Sequence, residues 1–490
     1  MGYRLRELEA ESKFGRTLTL DALGQVVLMS DIKAVIQEEA VEEIRERKLT
    51  MVVAVLLVIT MNIYSRLSLG HVMQKLGQGL RFIWGDPDYR LPGDSAISYR
   101  RYQLGARPVV ALFHRVCRPM TTLQTPGAFL FGLRLMAIDG TIEDVPDTPE
   151  NMAAFGRHHT DRGDSAFPQV RGVYLAECGA HAIVDAGFWP CHTSERVGGF
   201  RVLGSVKPSM LVMWDRGFHD YDMIMAVRER GSHVLGRLPA HVQPKRVHTL
   251  PDGSYLAYLL PTEYQRRKRG EHLLVRIVEY TITDPALPGY GEVHRLVTTL
   301  LDAEAYPALD LACAYHERWE IELVIDEMDT HQRLAGRPLR SLKPVGVIQE
   351  LYGLLIAYYA IRFLMHQAAL QLGLDPDRLS FVHALQVLHA AIPEFQMTTT
   401  EQLPQLYARL LRDIAAERLP ARRQRSNPRV VKRKMSKFHL KRSEHRDWPQ
   451  SAQPFRQAVL ILGSSSQTIS PFCLQLEVQH YTLALEQLLI

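Results

Sequence analysis

The alternation of apolar and polar positions divides the chain by texture. Up to about residue 125 the pattern is helical. The stretch 30-SDIKAVIQEEAVEEIRERK-48 opens with Ser30 as a cap and has no Gly or Pro, the apolar run 51–63 follows, and 67-LSLGHVMQKLGQGL-80 completes the set. From about 128 to 238 short apolar runs are bounded by turn residues: 133-LRLMAIDG-140, 172-GVYLAE-177, 181-HAIVDAG-187, 210-MLVMWDRG-217 and 233-HVLGRL-238. Such runs predict strands, and 219–231 between the last two predicts a helix, giving a mixed α/β sheet. Residues 239–302 predict further strands around a Pro-Asp-Gly turn, including 273–282 and 293–302. Helices are then predicted over 307–334, 344–372 and 400–418.

Composition changes this picture little. The chain has 490 residues, 46% apolar and 23% charged, with a formal net charge of +5, as in an ordinary globular protein with room for several domains. Its five scattered cysteines contain no CxxC pair, which argues against a disulfide framework or a structural zinc site and for a reducing, cytoplasmic setting. The apolar runs 51–63 and 351–361 are too short to span a bilayer and read as core helices. The N-terminus has acids where a secretory signal would be apolar.

Charge is informative where it clusters. The helix 315-YHERWEIELVIDEMDT-330 carries six carboxylates in a chain of positive net charge. Tyr315, Arg318 and Glu322 are spaced i, i+3, i+7 on one helical face. Leu323, Ile325 and Met328 are placed to pack inward, and Glu317, Glu320, Asp326, Glu327 and Asp329 to form a solvated face. Asp139 and Asp215 each end an apolar strand, where an Asp-Gly turn is the ordinary reading and a site at the strand ends the functional one. Three carboxylates from distant positions can hold two hard divalent cations such as Mg²⁺ for phosphoryl transfer.

The combination resembles the DDE transposases of the bacterial insertion-sequence four family. The match is carried by 137-AIDGTIEDVPDTPEN-151, 166-AFPQVRGVYLAECGAHAIVDA-186, 214-WDRGF-218, 315-YHERWEIE-322 and 339-LRSLKPVGVIQELYGLLIAYYAIR-362, and it covers roughly residues 30–440 in family order. The resemblance implies an α/β fold with a ribonuclease-H-like mixed-sheet core and a β-rich insertion, preceded by an N-terminal helical domain. The expected division is 1–125 helical and DNA-binding, 126–238 first part of the core, 239–302 insertion, 303–417 helical second part, and 418–490 basic arm and tail.

By motif position Asp139, Asp215 and Glu322 are the implied catalytic and metal-binding triad, with two Mg²⁺ or Mn²⁺ ions. Tyr315 and Arg318 match the signature that contacts DNA phosphate. One position departs: seven residues after Glu322 the signature carries Lys, and this chain carries Asp329. The implied reaction is cleavage at the ends of an insertion element, followed by strand transfer. The partner is double-stranded DNA, both element inverted repeats and target, with a homodimer on paired ends and a nucleoid-associated place in the cytoplasm.

Basic segments suit that partner. They are Arg100 and Arg101, the 265-QRRKRG-270 loop with Arg267 and Lys268, and the stretch 418–446 with Arg422 and Arg423, which holds twelve Lys or Arg and one acid. His158 and His159 read as a surface loop, Trp319 as core. Two other readings share these features: an inactive DNA-binding protein that keeps the fold, and a metal nuclease that cuts without joining.

Overall fold

The structure is a computed structural model and describes residues 18–43, 49–82, 91–160, 163–287, 289–333, 336–419 and 454–463, with a few positions between 430 and 442. In chain order its principal elements begin with helices α1 (Met29–Glu38), α2 (Met51–Ile63), α3 (Leu69–Leu76), α4 (Asp94–Leu104) and α5 (Arg107–Val116). Strand β1 (Leu133–Asp144), α6 (Pro149–Phe155), the hairpin β2 (Gln169–Glu177) and β3 (Ala182–Pro190), and α7 (Glu195–Val202) follow. Then come β4 (Met210–Trp214), α8 (Tyr221–Glu229), β5 (His233–Arg237), β6 (Lys245–Thr249), β7 (Tyr255–Leu259), β8 (Leu273–Ile282) and β9 (Val293–Thr298). The chain continues through α9 (Ala308–His316), α10 (Glu320–Asp326), a π-helical segment (Glu327–Gln332), α11 (Pro344–Gln371), α12 (Phe381–Met397), α13 (Leu403–Ile414) and β10 (Val459–Ile461).

The chain falls into two units. The first comprises Met1–Phe129, Ile138–Ser205 and Glu320–Leu419, the second Leu130–Ala137, Val206–Trp319 and Pro420–Ile490. In the first unit α11 is the central element. It is long and apolar enough to cross a membrane by composition, yet 83% of its apolar window is buried, which makes it a core helix. It packs on α2 at Gly353, where a Cβ would lie 2.7 Å from both Val58 Cγ1 and the Val58 carbonyl oxygen. Asn62 Nδ2 donates to the Glu350 carbonyl at 3.2 Å across the same contact. The apolar run 51–63 is α2, buried almost all round and capped by Thr50.

The antiparallel pair β2–β3 flanks the second half of β1 in this unit. The second unit holds the start of β1, then β4, β5, β9, β8, β7 and β6 in sheet order. Here β4 and β5 are parallel and joined through α8, as a crossover connection requires. All five residues of β4 are buried, the continuous apolar run of a strand covered on both faces. The insertion strands are antiparallel and reach the core through β9 on β5, so the predicted β-rich insertion extends the core sheet. Its edge strand β6, KRVHT, is exposed at every position and guarded by Lys and Arg.

Several expectations need correction. The first helix starts at Met29 with Leu28 at its cap position and no side-chain cap, so Ser30 lies inside it. Helix α12 is absent from the sequence expectation: Pro393 inside it looks like punctuation, yet Phe381, Leu385, Leu388, Ile392 and Phe395 form a buried stripe that carries the helix past it. Part of the tail also has a place: Val459–Ile461 pairs antiparallel with Tyr280–Ile282 of β8. Arg422 and Arg423 lie outside the described residues.

Candidate functional site

Asp139 is where β1 leaves the core: Leu135 to Ile138 are buried, Asp139 is half-buried, and one of its oxygens accepts from the Gly140 amide at 2.8 Å. Asp215 repeats the arrangement after the buried strand β4. It is half-buried and caps the turn Arg216–Phe218 by accepting from the Gly217 amide at 2.5 Å. Glu322 is half-buried in the first turn of α10. The first unit therefore carries Asp139 and Glu322, and the second carries Asp215, Tyr315 and Arg318.

The helix over 307–334 is not continuous. A 3₁₀ turn, Glu317–Trp319, separates α9 from α10, and the π segment follows. The inference of a shared face from simple i, i+3, i+7 spacing is therefore inexact. Tyr315 and Arg318 are each only 7% exposed. The Tyr315 hydroxyl donates to the Trp214 carbonyl at 3.2 Å, tying α9 to the end of β4 immediately before Asp215. Burial pushes the Tyr315 phenol up to about 12, so it stays a donor. The Arg318 guanidinium lies 5.8 Å from the Tyr315 ring centre and 5.7 Å from that of Trp319. Trp319, expected in the core, is 37% exposed, and Leu323 is also exposed; Met328 is buried as expected.

The predicted solvated acidic face is the largest correction. Glu320 is buried, and its Oε2 lies 2.7 Å from His181 Nε2. Asp377 Oδ1 lies 3.2 Å from the same nitrogen, and Glu327 Oε2 lies 3.6 Å from His181 Nδ1. Arg362, 1% exposed, reaches Glu327 at 3.3 Å and Asp377 at 3.4 Å. Tyr358 donates to Glu327 at 2.6 Å. Burial alone would raise Glu327, but Arg362, His181 and Tyr358 outweigh it and hold the carboxyl at about 2. His181 sits at the β2–β3 turn with left-handed backbone, φ 55°. His181, Glu320 and Asp377 place ligand atoms within 4.8 Å of one another, a spacing a metal could use, but Arg362 already supplies the positive charge there. The network ties α10 and the π segment to α11 and to the β2–β3 turn.

A second internal cluster surrounds Asp329. Arg333 pairs with Glu143 and lies 3.4 Å from Asp329 Oδ1. Burial and the neighbouring Glu143 push the Asp329 carboxyl up to about 8, against the pull of Arg333. The acid at the signature lysine position thus faces Arg333 and Glu143. Neither cluster follows from local sequence pattern; the lone Arg362 closing the apolar run 351–361 is the one signal for the first.

The basic candidates divide. Arg267 and Lys268 are exposed on the short helix Tyr264–Lys268, while Arg266 pairs with Asp222 at 2.7 Å and with Glu271 at 2.7 Å. Arg100 and Arg101 are buried and structural: Arg100 pairs with Glu43 at 2.7 Å, and Arg101 donates to Ser341 at 3.1 Å. His159 is exposed and paired with Asp164 at 2.8 Å, as a surface loop implies.

Comparison with known proteins adds independent findings. Residues 17–114 match the family described as Insertion element 4 transposase N-terminal, and residues 130–360 match Transposase DDE domain. The chain is 28% identical over 435 residues to "Transposase InsG for insertion sequence element IS4" of Escherichia coli (strain K12), covering 86% of this chain and 93% of the relative. It is 29% identical over 163 residues to "Putative transposase InsZ" of the same organism, covering 32% and 52% of the two chains. A solved structure, of the piggyBac transposase synaptic complex with hairpin DNA, aligns over 84% of this chain and 88% of that one with a TM-score of 0.41 and 10% identity.

Proposed function

The chain belongs to the insertion element 4 family of DDE transposases, enzymes that act on DNA with divalent metal ions and move an insertion sequence; from that premise we propose that Asp139, Asp215 and Glu322 are its catalytic acids and that Mg²⁺ is the working ion. The observation that supports this most is the repeated placement of Asp139 and Asp215, each half-exposed where a buried strand run ends. When bound, a pair of divalent ions polarises the scissile phosphate and makes the attacking oxygen a better nucleophile. Asp139, Asp215 and Glu322 would each offer carboxylate oxygens to the ions. The Tyr315 hydroxyl, committed to the Trp214 carbonyl, acts by holding α9 in place. Arg318, just past the end of that helix, offers a planar fork for a phosphate of the element end. The products are a free 3′-hydroxyl at the end and then its joint to target DNA, with two copies of the chain on paired ends in the bacterial cytoplasm at the nucleoid.

Purified protein incubated with a labelled duplex carrying the element's own end tests this. With Mg²⁺ or Mn²⁺, nicks at the terminus and joined products are expected; with EDTA, neither. Nicks without joined products at any target concentration would reduce the enzyme to a nuclease. A second outcome concerns affinity alone. Replacing both Arg267 and Lys268 by Ala lowers the slope of log affinity against log salt by about 2, roughly 0.9 for each phosphate that is no longer neutralised. An unchanged slope in a filter-binding titration would remove this helix from the DNA surface.

A further inference from the structure

The residue that departs from the family signature shares a cluster with both catalytic segments of the first unit. Glu143 lies on β1 four residues after Asp139, so the two side chains leave the strand on the same face, about 13 Å apart along it. Arg333 closes the π segment that follows α10, the helix of Glu322. Arg333 Nη1 donates to Glu143 and, at 3.4 Å, to Asp329. The connection is reinforced at the backbone, where the Leu339 amide donates to the Asp144 carbonyl at 2.9 Å. One bridge of three side chains thus ties the strand of the first catalytic aspartate to the segment that continues from the catalytic glutamate.

We infer that Asp329, with Arg333 and Glu143, is a positioning residue for the reaction: the bridge sets the separation between the strand that carries Asp139 and the helix that carries Glu322. This rests on the reading of those two as catalytic acids. The charges explain why an acid works where the family signature has a base. One guanidinium faces the buried Glu143 and the part-buried Asp329, and burial together with the neighbouring Glu143 raises the Asp329 carboxyl so that it keeps its proton at neutral pH. The cluster is then neutral: one cation, one anion and one carboxylic acid that donates a hydrogen bond. A lysine at position 329 would put two cations beside the Glu143 carboxylate. The other groups facing the cluster are Asp326 on the same stretch, the fully buried Tyr174 on β2, and Glu350 on α11. All of these are acidic or phenolic, so losing the Asp329 proton sets its carboxylate against theirs with one guanidinium nearby.

The Asp329 proton leaves as pH rises through about 8. The bridge then loosens, and cleavage falls. Asparagine at 329 keeps the donor and cannot ionise. The decisive measurement is the ratio of end-nicking rates, Asp329→Asn over unaltered protein, in Mn²⁺ from pH 6 to pH 9.5, with the melting temperature followed at each pH. The ratio cancels the general effect of hydroxide on the chemistry. It is expected to be constant below pH 7 and to rise about tenfold by pH 9, one pH unit above the titration, with the apparent Mn²⁺ affinity of the unaltered protein falling in step. A flat ratio overturns the inference, provided Asp139→Ala and Glu322→Ala are inactive. If those two still cut, the catalytic assignment fails first, and this inference with it. Should Asp329→Asn fail to fold, Glu143→Gln removes the same charge from the other side of the bridge and is expected to give the same rise.

Discussion

Alanine at Asp139, Asp215 or Glu322 lowers the rate of DNA-end cleavage by about a thousandfold or more while leaving DNA binding and folding intact. The size follows from metal chemistry. Stabilising the charge that develops on the attacking and leaving oxygens is worth several kcal/mol, and each 1.36 kcal/mol is a decade in rate. The selectivity follows from where the residues sit. Asp139 is half-exposed within β1 where its buried run ends, Asp215 is half-exposed just past β4, and each accepts a local hydrogen bond from a following amide. Losing such a bond costs about 1 kcal/mol of stability, too little to unfold a domain. Single-turnover nicking assays beside gel-shift titrations separate the two effects. Normal cleavage by any of the three variants would remove that residue from the triad, and loss of binding in parallel with loss of cleavage would indicate a folding defect instead.

The largest effect on stability is expected at Arg362. Replacing it by Leu leaves Glu327 and Asp377 in the interior without their guanidinium and should destabilise the first unit by about 3–5 kcal/mol, the cost of breaking a buried ion pair from one side. The urea midpoint of unfolding reads this, and a shift corresponding to under about 1 kcal/mol, the scale of a surface pair, would show the network to be incidental. The pH dependence has a definite sign. Glu327 is held at about 2, below its ordinary 4.5. Its contribution to stability is therefore fully present above about 4.5 and is lost as pH falls through 2. At neutral pH the contribution of Glu327 is fully present.

Much of the fold can be read along the chain, because strands and helices that bury one face announce their period. The apolar runs 51–63 and 273–282 match α2 and β8 to the residue. The places where reading fails have physical reasons. Pro393 is a local signal overridden by a buried stripe on both sides of it. The acids after Tyr315 look solvated because isolated carboxylates belong in water; their counterions, Arg362 and His181, come from positions far away in the chain. Arg100 and Arg101 look like a DNA-facing pair until their partners Glu43 and Ser341 are seen. The candidate catalytic acids are legible only through motif order. As single residues, an Asp-Gly after a strand and a Glu on a charged helix are commonplace.

The short strand β10 has a consequence for synthesis. Beside it, Phe455 stacks on His316 at 3.9 Å, and Arg456 pairs with Asp310, so the segment braces α9, the helix that leads to Arg318. Its partner strand β8 leaves the ribosome long before it does: at ordinary bacterial elongation rates the interval is roughly 10–35 s. During that time the end of β8 is an open edge and α9 lacks its brace. The brace on α9 is therefore added late in synthesis, after the strands it packs beside have been made.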